Sequence, residues 1–198
     1  SLNEIGDEGV KAIAESLKLN STVVELNISR NRIGMEGAKA IAETLKVNRS
    51  LHTLFIHGNR IGVEGAKAIS EALKVNTTLR ALYISGNEIE EEGAKLFAQT
   101  LVANTALQTL CIGVNEIGKE GAKAIAKALQ VNDTLTNSDG ICSCFNIEAK
   151  RYLTMNANHD SNHSKSVLSS ILYEFHLPSQ QIDIILHYIF YLQKLDTF

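Results

Sequence analysis

Apolar and polar positions recur along this chain with one long period. Asn3, Asn31, Asn59, Asn87 and Asn115 follow one another at intervals of 28, and so do Asn20, Asn48, Asn76, Asn104 and Asn132. One interval reads Leu51-His52-Thr53-Leu54-Phe55-Ile56-His57-Gly58-Asn59, then Arg60-Ile61-Gly62-Val63-Glu64-Gly65-Ala66-Lys67, and runs on through Leu73 to Asn76. The shared pattern is L-x-x-L-x-I-x-x-N-x-I-x-x-E-G-A-K-x-I-A-x-x-L-x-x-N. Leu54 and Ile56 lie two apart, on one face of a short strand. Ala66, Ile69, Ser70 and Leu73 fall at i, i+3, i+4 and i+7, the stripe of a helix.

The polar and small positions punctuate these elements. An Asn just after the strand suits an inward turn, where its carboxamide can bond backbone groups of neighbouring turns. Gly65 and Ala66 are small, so the helix start can lie close to the sheet. Asn76 is expected to end the helix as a left-handed C-cap. A single unit cannot bury both of its apolar faces, so the units must stack side by side.

This pattern resembles the leucine-rich repeat family, and within it the ribonuclease-inhibitor-type class with 28-residue units. The resemblance covers about residues 2–135, and one unit departs mildly, with Leu96-Phe97 in place of Ala-Ile. It implies an α/β solenoid: a curved parallel sheet lining a concave face, with helices on the convex side. Residues 1–135 are expected to form about five units, the first truncated before its strand. The chain starts in mid-pattern at Ser1, which implies residues upstream.

The pattern fails after Leu135, where Ser138, Gly140 and Ser143 replace the expected Leu, Ile and Asn. Residues 136–140 read as a loop. Residues 141–145 read as a last irregular strand and 147–156 as a helix. After a polar break at 157–162, Val167, Leu168, Ile171, Leu172 and Phe175 make one helical stripe. Pro178 interrupts it, and Ile182, Ile185, Leu186, Ile189 and Phe190 make the next. Solenoids need capped ends, so residues 136–198 are expected to be an irregular connection and a helical C-terminal cap. Surplus aromatics there (Tyr173, Tyr188, Tyr191 and Phe198) offer a second docking surface.

Composition narrows the classes. The chain has 198 residues, 44% hydrophobic and 21% charged, with a net charge of −3, so it can bury a core without metals or disulfides. No basic field points to nucleic acid or to an anionic membrane. The longest apolar stretch, residues 182–192, contains Asp183 and His187 and falls short of the roughly 20 residues a membrane span needs. Three cysteines fit a reducing compartment better than a disulfide scaffold, and no signal peptide is visible. The expected location is therefore cytoplasmic. The sequons at Asn20, Asn48, Asn76 and Asn132 follow from the repeat rather than from glycosylation.

The resemblance implies that strand positions between the core Leu and Ile face the concavity. One such row is Asn27, Phe55, Tyr83 and Cys111; beside it run Glu25, Thr53, Ala81 and Thr109, and Ser29, His57, Ser85 and Gly113. Phe55 and Tyr83 would stand about 5 Å apart on neighbouring strands and are the expected anchors for a partner. At the strand ends, Arg30, Arg32 and Arg60 lie toward the N-terminal units and Glu88, Glu90, Glu91 and Glu116 toward the C-terminal ones. That polarity would orient a protein partner, with the arginines meeting its acidic groups. Glu36, Glu64, Glu92 and Glu120 are repeat positions with a structural role.

No catalytic set appears: there is no phosphate loop after a strand, no nucleophile elbow and no carboxylate pair. His57 and Cys111 would be about 10 Å apart, too far for a dyad. Cys142, Cys144, His159 and His163 have only an approximate zinc spacing, so neither a metal nor a cofactor is expected. The expected function is binding of one protein partner on the concave face, as a regulator or inhibitor of an enzyme. The near-identical repeats are similar to leucine-rich repeat effectors of intracellular bacterial pathogens, whose partner would be a host protein or another effector and whose location would be the host cytosol. The alternatives are a ubiquitin-ligase adaptor, on a faint F-box likeness across Leu177, Pro178, Ile184, Ile185 and Leu186, and a sensor fragment of an immune-receptor-like protein.

Overall fold

In the computed structural model, which describes residues 3–129, 131, 132, 134 and 135, each repeat folds into one short strand and one helix. The order is α1 (Gly6–Leu19), β1 (Glu25–Asn27), α2 (Met35–Val47), β2 (Thr53–Phe55), α3 (Gly62–Val75), β3 (Ala81–Tyr83), α4 (Glu90–Ala103), β4 (Thr109–Cys111) and α5 (Gly118–Leu129). The strands form one parallel sheet in the order β1-β2-β3-β4. Leu26 pairs with Leu54, Leu54 with Leu82 and Leu82 with Leu110. The register offset equals the repeat length, so each unit presents the same residue type to the same neighbour. Slipping by one residue would turn every central Leu out of the core.

The core lies between sheet and helices. Leu54, Ile56, Ile61 and Ile69 are fully buried, and so is Phe97, the departure from the pattern in α4; their first-unit equivalents Ile5, Ile13 and Leu26 are partly buried and pack against this core. Neighbouring helices pack in sequence, α1 on α2 through α4 on α5. Leu135 still packs on this core, and Asn132 Nδ2 still donates to Leu101 O at 2.7 Å, so the repeat geometry reaches the last described residues. None of the described helices is long and apolar enough to cross a membrane. The stretch 136–198, with its expected connection, helical cap, F-box-like segment and Cys142, Cys144, His159 and His163, lies outside the described residues.

Two expectations about small and polar positions are corrected. Asn76 is not left-handed: its φ of −78° and ψ of 124° are extended. Its side chain closes the turn instead, with Oδ1 accepting the Thr78 and Leu79 N–H groups at 2.9 and 2.7 Å and Nδ2 donating to Leu45 O at 2.6 Å. Asn acts here through its carboxamide, which bridges one unit to the one before, and not through tolerance of positive φ. Gly65 is small because of a helix and not because of the sheet. A Cβ there would stand 2.9 Å from Ala38 Cβ on α2 and 2.5 Å from Ile61 Cγ2. The same Gly-on-Ala contact recurs at Gly93 against Ala66 and at Gly121 against Ala94.

The inward turn at the other Asn series is as expected. Asn59 Oδ1 accepts the N–H groups of Asn31 and Ile33 at 2.8 and 3.1 Å, while Nδ2 donates to Ile56 O at 2.8 Å and to Ile28 O at 3.2 Å. These turns also carry left-handed residues other than Gly: Arg30, Arg32, Glu88, Glu90, Val114 and Glu116, with φ between 55° and 60°.

Candidate functional site: the concave face

Strand alternation builds this face. Within each three-residue strand the middle Leu points into the core, and the flanking residues stay half-buried in β2, β3 and β4. Asn27, Phe55, Tyr83 and Cys111 are therefore side by side in register, as the sequence placed them. The Phe55 and Tyr83 rings stack, with centroids 4.4 Å apart and planes 14° from parallel. Leu54 and Leu82 already fill the core beneath them, so neither ring is needed there. Cys111 extends the row beyond Tyr83 and is half-buried. Asn27, at the other end, is exposed and uses Oδ1 to accept the Ser29 N–H at 3.1 Å.

The next row has its own order. Ser29 Oγ and His57 Nδ1 are 2.9 Å apart. Burial, and after it the Arg30 guanidinium, hold the His57 pKa below its ordinary 6.5. A neutral imidazole beside a hydroxyl is the start of a nucleophile–base pair, but no carboxylate hydrogen-bonds His57 among the described residues, so the orienting third group is missing. Ser85 is half-buried, and its carbonyl accepts the Gly58 N–H at 2.8 Å. His57 follows β2 and Cys111 ends β4, with strand β3 between them in the sheet. Among the described residues no three His, Cys, Asp or Glu side chains converge as a metal would require.

The strand-end charges are less uniform than the sequence implied. Arg32 Nη1 is 2.6 Å from Glu4 Oε1, and Lys95 Nζ is 2.6 Å from Glu91 Oε1, so Arg32 and Glu91 are balanced within the chain. Arg30 is seated against the neighbouring turn: its Cγ is 2.9 Å from where a Cβ on Gly58 would stand. Arg60, Glu88, Glu90 and Glu116 are exposed and make no ion pair among the described residues. Sequence reasoning missed the Glu4–Arg32 and Ser29–His57 contacts. Each joins residues 28 apart, so complementary types at one repeat position in consecutive units were the available signal.

Matches to the Leucine Rich repeat family model span residues 1–14, 19–42, 47–70, 75–98 and 103–126. The chain belongs to the leucine-rich repeat family. Among solved structures, the array is similar to one titled leiomodin-1 actin-binding site 2, at 21% identity and a TM-score of 0.59, covering 73% of this chain and 94% of that one. It is also similar to the Caenorhabditis elegans tropomodulin C-terminal domain, at 14% identity and a TM-score of 0.54, covering 67% and 84%. At these identities the likeness speaks to the fold. No curated protein matches the chain.

Proposed function

We propose that this leucine-rich repeat array is a protein-binding module whose concave face holds one protein partner, with Phe55 and Tyr83 as its anchors. The observation that carries the reading is the stacked aromatic pair, half-buried at the centre of a sheet face that no other described element covers. Large aromatics placed outside the core bury much area at small entropic cost when a partner closes over them. The leiomodin-1 structure that shares this fold is titled as an actin-binding site, which is precedent for such an array serving as a binding surface. The finer reading is a regulator or inhibitor acting in the cytosol, or in a host cytosol if the array comes from a bacterial effector. Its support is the family resemblance and, for the compartment, the sparse cysteines.

The test is affinity capture from cell lysate with the parent chain and with a Phe55→Ala/Tyr83→Ala double variant of unchanged circular dichroism. A partner taken by the parent and lost by the variant supports the concave site. The same partner surviving in both removes it.

A further inference from the structure

Positions 4, 32, 60, 88 and 116 are equivalent in successive units and read Glu, Arg, Arg, Glu, Glu. The Glu4–Arg32 ion pair at 2.6 Å cancels the first two charges of this row, whereas Arg60 and Glu88, the next oppositely charged neighbours, do not pair. What remains unbalanced is Arg60, then Glu88 and Glu116, all exposed. Arg30 adds a second cation at the end of β1, seated against Gly58. The rim of the sheet is thus positive beyond β1 and β2 and negative beyond β3 and β4, with the Phe55–Tyr83 stack in the middle.

These charges stand on fixed turns. The Arg30 N–H donates to His57 O at 2.9 Å, and the Asn87 N–H beside Glu88 donates to Asn115 Oδ1 at 2.6 Å. Arg30, Glu88 and Glu116 keep left-handed backbones, with φ of 58°, 58° and 55°, and Gly58 and Gly86 occupy the position of Arg30 in the next two units.

We propose that the concave face takes a protein segment with a fixed orientation: an apolar side chain on the Phe55–Tyr83 stack, acidic residues over Arg30 and Arg60, and basic residues over Glu88 and Glu116. The inference rests on the concave-face reading above and adds the chemistry of the partner. Four strands at about 4.8 Å spacing span about 15 Å, so acidic and basic groups about four or five residues apart in an extended segment match both ends. The apolar contact supplies most of the affinity. The charges select one direction and speed the encounter.

The probe is a short synthetic peptide with a central Trp, two Asp toward one end and two Lys toward the other. It is titrated into nitrogen-15-labelled protein, with a nitroxide attached first at its acidic end and then at its basic end. Amide shifts should centre on Phe55 and Tyr83. The nitroxide on the acidic end should broaden the amides of β1, and on the basic end those of β4. A peptide with Ser in place of all four charges should bind about ten-fold more weakly at low salt. Reversing the rim with Arg30→Glu, Arg60→Glu, Glu88→Lys and Glu116→Lys, in protein whose spectrum shows it folded, should exchange the two broadening patterns.

Equal broadening at both strands, or patterns unmoved by the reversal, overturns the orientation while leaving the concave site standing. The parent protein alone decides this if the reversed one does not fold. Shifts that miss Phe55 and Tyr83, or no shifts at millimolar peptide, overturn the concave site as well.

Discussion

Removing the Asn59 carboxamide should cost far more than removing the same group from Asn31, although both occupy one repeat position. Asn59 Oδ1 is the acceptor for two backbone N–H groups of the preceding unit, and its Nδ2 donates to Ile56 O and Ile28 O. Asn59 is 5% exposed, so water does not readily replace its carboxamide. Asn59→Ala strands two N–H donors in the interior, at about 1–3 kcal/mol each, and frees two carbonyls that tolerate the loss better. The expected loss is roughly 3–5 kcal/mol, a large share of what a domain of this size has. Asn31 makes one side-chain bond, Nδ2 to Ser29 O at 2.9 Å, while its Oδ1 has no donor among the described residues. Asn31→Ala should therefore cost about 1 kcal/mol. Urea unfolding followed by far-ultraviolet circular dichroism measures both, and unchanged m-values would show that the array still unfolds as one unit. Equal losses in the two single variants, or less than about 1.5 kcal/mol for Asn59→Ala, would refute the claim that this ladder binds unit to unit.

Val114 is a β-branched residue with φ of 56°, 64% exposed, where equivalent Gly58 and Gly86 have φ of 69° and 64°; Val114→Gly should stabilise the fold by about 0.5–1 kcal/mol, read as a rise in urea midpoint, and a fall would show that the left-handed backbone is not strained. Gly65→Ala should destabilise by about 1–3 kcal/mol through contacts with Ile61 Cγ2 and Ala38 Cβ, and adding Ala38→Gly should recover the part that belongs to Ala38; a second substitution that only adds damage would place the clash at Ile61 alone. Because His57 titrates below 6.5 in the folded state, the unfolded chain takes up that proton first as pH falls. The stability gained by keeping His57 neutral is full above about pH 6.5 and declines as pH drops through that value toward the folded pKa. His57→Phe should flatten that slope between about pH 7.5 and about pH 5, and an unchanged slope would assign it to other groups.

The solenoid was legible in the sequence because its cause is periodic. Two interleaved patterns, period two around Leu54 and a helical stripe from Ala66 to Leu73, repeat every 28 residues, and stacking in register is the arrangement that buries all of them at once. The same spacing placed Phe55 beside Tyr83 and gave the row from Asn27 to Cys111 before any contact was known. What the tertiary structure alone decided was how individual side chains use their neighbours. Asn76 has the composition of a left-handed cap, yet its carboxamide reaches Leu45 O in the preceding unit and holds the backbone extended. Gly65 could have faced sheet or helix, and only the packing of α3 on α2 set Ala38 against it. Arg32 and Arg60 are the same residue at the same repeat position, but Arg32 lies within reach of Glu4 and is neutralised while Arg60 is not. Hydrophobic periodicity is a property of one chain read in order and survives in the sequence. Pairing of polar groups depends on which units come together in space and how far each side chain reaches, and that is set only once the units have packed.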